Sequence, residues 1–366
     1  MDRLKNPTSL LPSLPPGARI LVIRHRSIGD IILLTPALRL LKDWRPDLHV
    51  SVIVERRFRE LLENNPDVEE ILEPGEGSGL GKVMARVGTI RDLRRKHFDL
   101  CVNLHGGPTS VALTAWGGAS IKAGFEHFRS TDTYDVLIPD ARLILNQPTI
   151  HTAEHQASAF FHLGLPRKEI PRARIVVAVT DRKWWLTKRT TLDLPRDRQY
   201  VMIHPTALYL TKQWSLDDIA ALGKSIESEL GLLTVYSCGP GEQTLLDSVE
   251  RAAKQSIRRL EGAGLRLFAA ALSDARLFIG NDSGPAHMAA ALGLPGVVIF
   301  GSSSSVIWGP WRPAAPWRVV QNPFDCNPCP GDRCYKFELP ECILSITLQQ
   351  VRSAVDSVLA ESHNMK

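Results

Sequence analysis

At 366 residues the chain is longer than one ordinary core, and 44% hydrophobic with 23% charged residues is the balance of a globular protein, so two domains are expected. A net charge of +5 and a pI near 8.9 favour polyanions mildly, phosphorylated lipid surfaces ahead of nucleic acid, and no nucleic-acid partner is expected. No run of about 18 apolar residues occurs, which excludes a spanning helix, and the proline-broken start from Met1 to Gly17 reads as neither signal peptide nor anchor. A cytoplasmic protein is expected.

Ala18 to Arg24 reads as a strand, and the densely apolar IILLTPALRLLKDW after Gly29 reads as a helix that Pro36 should kink. The junction His25, Arg26, Ser27, Ile28, Gly29, Asp30 puts an acid at a helix start, where it either complements the helix dipole or does chemistry. His49 to Glu55 is a second strand, followed by a helix from about Arg57 to Asn64, a short strand Glu70 to Leu72 and a glycine-rich loop, Gly75 to Gly81. The basic cluster Arg91, Arg94, Arg95, Lys96 is a solvated face or a contact for anionic lipid. Asp99 to Gly106 is the next strand, and His105, Gly106 and Gly107 follow as a tight turn or a site loop. Such alternation predicts a parallel sheet covered on both faces. His151 to Leu165 is a helix ending at Gly164; His151 and His155 share a face with no acid or cysteine to complete a metal site. Ala173 to Val179 is expected as a strand, and the polar stretch Thr180 to Arg198 as the connection between domains.

In the second half, Tyr200 to His204 is a strand whose loop carries Thr206 and Lys212 before a helix capped at Ser215 to Asp218. Leu232 to Ser237 follows, with a turn at Gly239 and Gly241 and then Glu242. Ala275 to Ile279 feeds GNDSGPAHMAAALG (Gly280 to Gly293), a loop at the carboxyl end of a strand and the amino end of a helix. Free N–H groups there favour an anion, with Ser283 offering a hydroxyl, Gly284 close backbone approach and His287 a ring one turn in; the other reading is a helix that Asp282 or Ser283 merely caps. Pro295 to Gly301 is a further strand. Cys326, Cys329, Cys334 and Cys342 sit in one short stretch, which suits a zinc or iron–sulfur centre, structural and remote from the chemistry, or else free thiols. Thr347 to Gln350 reads as a capping box opening a terminal helix.

The segments RHRSIGDIILLTPAL and GNDSGPAHMAAALG resemble the signatures of glycosyltransferase family 9, the ADP-heptose:lipopolysaccharide heptosyltransferases, and the resemblance runs in order from about Ile20 to Trp311. It implies an α/β GT-B fold, two Rossmann-like domains facing each other across a cleft. The acceptor domain would span 1–185, the nucleotide-sugar domain 199–345, and a terminal helix, 346–366, would pack back on the first domain. It also implies an inverting transfer of heptose from ADP-heptose to a lipopolysaccharide core or lipid A precursor by a monomer at the inner face of the cytoplasmic membrane, without a required cofactor. Alternatives are a relative using another nucleotide sugar and a non-catalytic binding protein. By the resemblance Asp30 is the base and Lys212 meets the diphosphate. Thr206, where many members carry glycine, Glu242, Asp282, Ser283, Gly284 and His287 hold the nucleotide sugar, with Glu242 at the ribose and Asp282 capping N–H groups or bonding the sugar. Arg26, Ser27 and His105 lie on the acceptor side.

Overall fold

In the computed structural model, which describes residues 7–364, short apolar runs pair as parallel strands. They are β1 (Arg19–Ile23), β2 (His49–Ile53), β3 (Glu70–Leu72), β4 (Leu100–Asn103), β5 (Ile121–Phe125), β6 (Val136–Ile138), β7 (Tyr200–His204), β8 (Leu233–Ser237), β9 (Arg259–Leu260), β10 (Leu277–Asn281), β11 (Gly296–Ile299) and β12 (Trp317–Val320). The first sheet has the order β3-β2-β1-β4-β5-β6 and the second β12-β11-β10-β7-β8-β9, so both carry the doubly wound order, one written in reverse. The register sets Ile20 between Val50 and Leu100, and Ile279 between Ile203 and Val297. All of these are fully buried, as strands covered on both faces require. Contacts divide the chain into Met1–Val176 and Val177–Lys366.

In the first unit the helix Ile28–Trp44 runs through Pro36. Proline cannot donate to the Ile32 carbonyl one turn back, and the Thr35 hydroxyl donates to that oxygen instead at 2.7 Å. The same hydroxyl accepts from the Arg174 N–H at 2.9 Å, which ties down the segment expected as a strand from Ala173 to Val179. That segment is not a strand; the sheet runs on instead into β5 and β6, two short runs the sequence reading passed over.

The second unit opens with Val179–Thr191, a helix inside the stretch expected to be a mere connection. Its buried Trp185 and Arg189 converge on Asp274, Nε1 and Nη1 each donating to Oδ2 at 2.8 Å. At the other end the Gln350 carboxamide accepts from the Thr347 N–H at 2.8 Å, the predicted capping box, and starts the helix Leu348–Asn364. Val351, Val355 and Val358 on that helix join a core with Ile219, Ile226, Val297 and Ile299. Its apolar stripe is matched by the second sheet.

Thr35→Val keeps the shape but strands the Ile32 carbonyl and the Arg174 N–H. Denaturant unfolding should show a loss of about 1–3 kcal/mol; an unchanged midpoint would mean that neither bond matters.

Candidate active site

Each doubly wound sheet has one place where consecutive crossovers turn to opposite faces, and ligands bind beyond the strand ends there. In the first sheet it lies between β1 and β4, in the second between β7 and β10. The residues singled out from sequence lie on the loops that leave these strands and on the turn after β8.

In the first unit Arg24, at the end of β1, donates to Asp30 and to the Leu104 carbonyl beyond β4, stitching the two loops together. Asp30 reaches back to the Ser27 N–H at 3.0 Å and hydroxyl at 3.1 Å, so it closes the helix start as well as pairing with Arg24. Its carboxylate, 13% exposed, keeps lone pairs for a further partner. Gln156 fixes the same turn through the Asp30 carbonyl at 2.9 Å. Arg26 and Ser27 are exposed beside it. His105 is held by its neighbour Asn103, whose carboxamide oxygen accepts from the N–H groups of His105 and Gly106 at 2.9 and 3.1 Å. Gly106 has φ +71, and a Cβ there would lie 2.3 Å from the Phe128 ring, so the turn admits only glycine. His25 lies 4.8 Å from His105, ring to ring, and burial first, then His105 and three arginines, lower its pKa to about 3. His105 is lowered too, by burial first and then Arg24 and Arg26. His151 does not share a site with His155: its Nδ1 accepts from the Ala153 N–H, while His155 stacks on Phe125 at 4.2 Å.

In the second unit Asn281, the last residue of β10, does what Arg24 does in the first. Its carboxamide donates to the Pro205 carbonyl at 2.7 Å and accepts from the Trp214 N–H at 3.2 Å, joining the β10 and β7 loops. Lys212 and Asp282 then meet at 2.7 Å, 22% and 5% exposed, and the Ser303 hydroxyl donates to the same carboxylate oxygen. Asp282 is thus turned toward the lysine and does not cap the helix Gly284–Ala291, which overturns the capping role. Ser283, the residue at the cap position, makes no side-chain capping bond either, its hydroxyl lying 3.3 Å from the Asn281 carbonyl. The helix start is thus left without a capping bond from Ser283, and His287 is buried one turn in. Thr206 is buried with its hydroxyl on Glu242 at 2.6 Å, and Glu242 also accepts from the Gly239 N–H at 2.7 Å. In this arrangement Thr206 orients Glu242 and does not present its hydroxyl to a phosphate.

Sequence reasoning missed His204, which pairs through Nε2 with the Thr206 hydroxyl at 2.9 Å and through Nδ1 with Ser237 at 3.0 Å. Since that threonine gives its one proton to Glu242, Nε2 must carry the hydrogen and Nδ1 must accept. A neutral ring fits this, and burial lowers its pKa to about 4.

Cys326, Cys329, Cys334 and Cys342 line one cavity of about 120 Å³. Yet among the described residues no group of three or more His, Cys, Asp or Glu is placed to hold an ion, as the expected zinc or iron–sulfur centre would require. Three thiols are half-buried and Cys342 is buried; burial, then the other three sulfurs, push its thiol up to about 11. Nor is the cluster remote. Thr211, beside Lys212, and Ser302, beside Ser303, line the same cavity, and the Thr211 hydroxyl donates to the Gly331 carbonyl.

Two doubly wound sheets, one in each unit, are those of the GT-B fold. The sequence profile described as glycosyltransferase family 9 (heptosyltransferase) matches residues 86–336. Lipopolysaccharide heptosyltransferase 3 of Escherichia coli K12 is 26% identical over 294 residues, covering 77% of this chain and 82% of the relative. A family 9 glycosyl transferase from Veillonella parvula superposes with TM-score 0.80 at 22% identity, covering 94% of this chain and 98% of that one. The E. coli ADP-heptose lps heptosyltransferase II superposes with TM-score 0.77 at 19% identity, over 94% and 99%. The chain belongs to glycosyltransferase family 9.

The buried histidines set a pH dependence. Unfolded imidazoles take a proton near pH 6.5, whereas folded His25 refuses one until about 3 and His155 and His204 until about 4. The unfolded chain then binds more protons in that window, so this stability is full above pH 6.5 and is lost as pH falls toward 4. Melting temperatures from pH 7 to 4 should fall, less steeply for His204→Gln; equal slopes would contradict a buried neutral His204.

Proposed function

We propose that the chain transfers a heptose from ADP-heptose to a hydroxyl of a lipopolysaccharide core or lipid A precursor, with inversion, at the inner face of the cytoplasmic membrane. The observation that carries this reading is the Lys212–Asp282 pair at 2.7 Å beside a helix start that Ser283, at the cap position, does not cap. A lysine and open N–H groups at one point suit a diphosphate leaving group.

In the reaction the acceptor oxygen gives its proton to Asp30 and bonds to the anomeric carbon as the bond from that carbon to the diphosphate breaks. Arg24 and Ser27 hold Asp30 so that an oxygen lone pair is aimed without reorganisation. Lys212 and the N–H groups of Ser283 and Gly284 take up the charge that appears on the departing ADP, so the chain's own groups supply the electrostatics. Glu242, fixed by Thr206 and Gly239, receives the ribose hydroxyls, and His105 and Arg26 face the acceptor.

Asp30→Ala should lower kcat by about 10²–10⁴ while ADP affinity measured by calorimetry stays within about twofold. Lys212→Ala should weaken ADP binding and also lower kcat, because its contact strengthens as charge builds on the leaving oxygen. Transfer by Asp30→Ala within about tenfold of the parent would remove Asp30 from the role of base.

A further inference from the structure

The helix Gly79–Lys96 is the least covered long element of the first unit, with Leu93 its one buried residue. Leu80, Val83, Met84 and Val87 repeat at the i, i+3, i+4, i+7 spacing of one helix face, and they are 84%, 56%, 74% and 59% exposed. The hydrophobic effect penalises such a stripe in water unless something apolar covers it. Further along the same face stand Arg91, Arg94 and Arg95, all exposed, and the helix as a whole carries six bases against the single acid Asp92. Arg94 donates through Nε to the carbonyl of Trp116, and that indole is itself 58% exposed. The surface thus has apolar side chains at one end, arginines at the other and a tryptophan beside the arginines.

We infer that this face of Gly79–Lys96, together with Trp116, is an interfacial helix that lies on an anionic lipid bilayer. Leu80, Val83, Met84 and Val87 enter the acyl boundary, the three arginines sit among phosphate headgroups, and Trp116 occupies the interfacial layer that suits an amphipathic ring. An apolar protein partner would be served by the first half of the face alone; the arginines beside it select a surface that is both oily and negative. The proposal names the surface by which the membrane location proposed above is achieved and rests on that reading only for its biological setting.

The test uses the full chain with vesicles of phosphatidylcholine alone or with phosphatidylglycerol, read by co-sedimentation. The parent should bind the anionic vesicles, bind neutral ones poorly, and release as salt rises. One variant carries Leu80→Ser, Val83→Ser, Met84→Ser and Val87→Ser, and another Arg91→Gln, Arg94→Gln and Arg95→Gln. Each should lose affinity by about tenfold or more while melting like the parent. Both should transfer sugar to a short, water-soluble acceptor at the parental rate, since neither touches Asp30 or Lys212. Brominated lipid should quench tryptophan emission in the parent and much less in Trp116→Phe. Parental binding by either multiple variant, or no binding by the parent, overturns the proposal. Slow transfer to the soluble acceptor by the serine variant would also overturn it, because the stripe would then be covered by acceptor or protein. Vesicle binding by a chain that transfers no heptose would instead overturn the proposed reaction and leave the surface standing.

Discussion

A parallel strand can rejoin its sheet only by a crossover, and crossovers on both faces bury the strands completely, so function is confined to the loops at the strand ends. In this chain each sheet places its loops around one point where the winding reverses, and one side chain at that point binds the two neighbouring loops together. Arg24 does it by reaching Asp30 and the Leu104 carbonyl, Asn281 by reaching the Pro205 carbonyl and the Trp214 N–H. One of these side chains is charged and the other neutral, which matches what each loop presents. The arginine sits against an acid, whereas the amide leaves Asp282 of its own loop to pair with Lys212 of the neighbouring one.

Around these points the chain holds its histidines neutral. His25 and His155 in the first unit and His204 in the second are all shifted down by burial. A neutral imidazole donates with one nitrogen and accepts with the other, so His204 can join Ser237 to Thr206 and, through Thr206, fix Glu242. Glu242 thus stands on an uncharged support.

The alternation of elements and the two principal loops were legible because both are local: apolar runs of strand length, a helical period, and glycine, proline or an acid at a junction. Less legible was whatever depends on a partner far along the chain. Nothing near Asp282 predicts that it turns from the helix start toward Lys212, seventy positions earlier, and nothing near Thr206 predicts that its hydroxyl is spent on Glu242. Short strands such as Val136–Ile138 carry too few residues to show a period, and an extended stretch at Ala173 to Val179 mimics a strand without pairing into either sheet. For the cysteines spacing was an insufficient guide, since chain separation says little about whether four sulfurs converge on one point or line a wall.

The contact between Lys212 and Asp282 makes the lysine a cation with a resident counter-ion. A diphosphate arriving under the proposed reaction therefore enters by exchange: it displaces a carboxylate that was already solvating the ammonium group, and the gain is the difference between two ion pairs. The same carboxylate, kept in place by Ser303, is ready to take the lysine back when the spent nucleotide leaves. Such a site holds its product less firmly than an unpaired lysine would, which favours turnover over affinity.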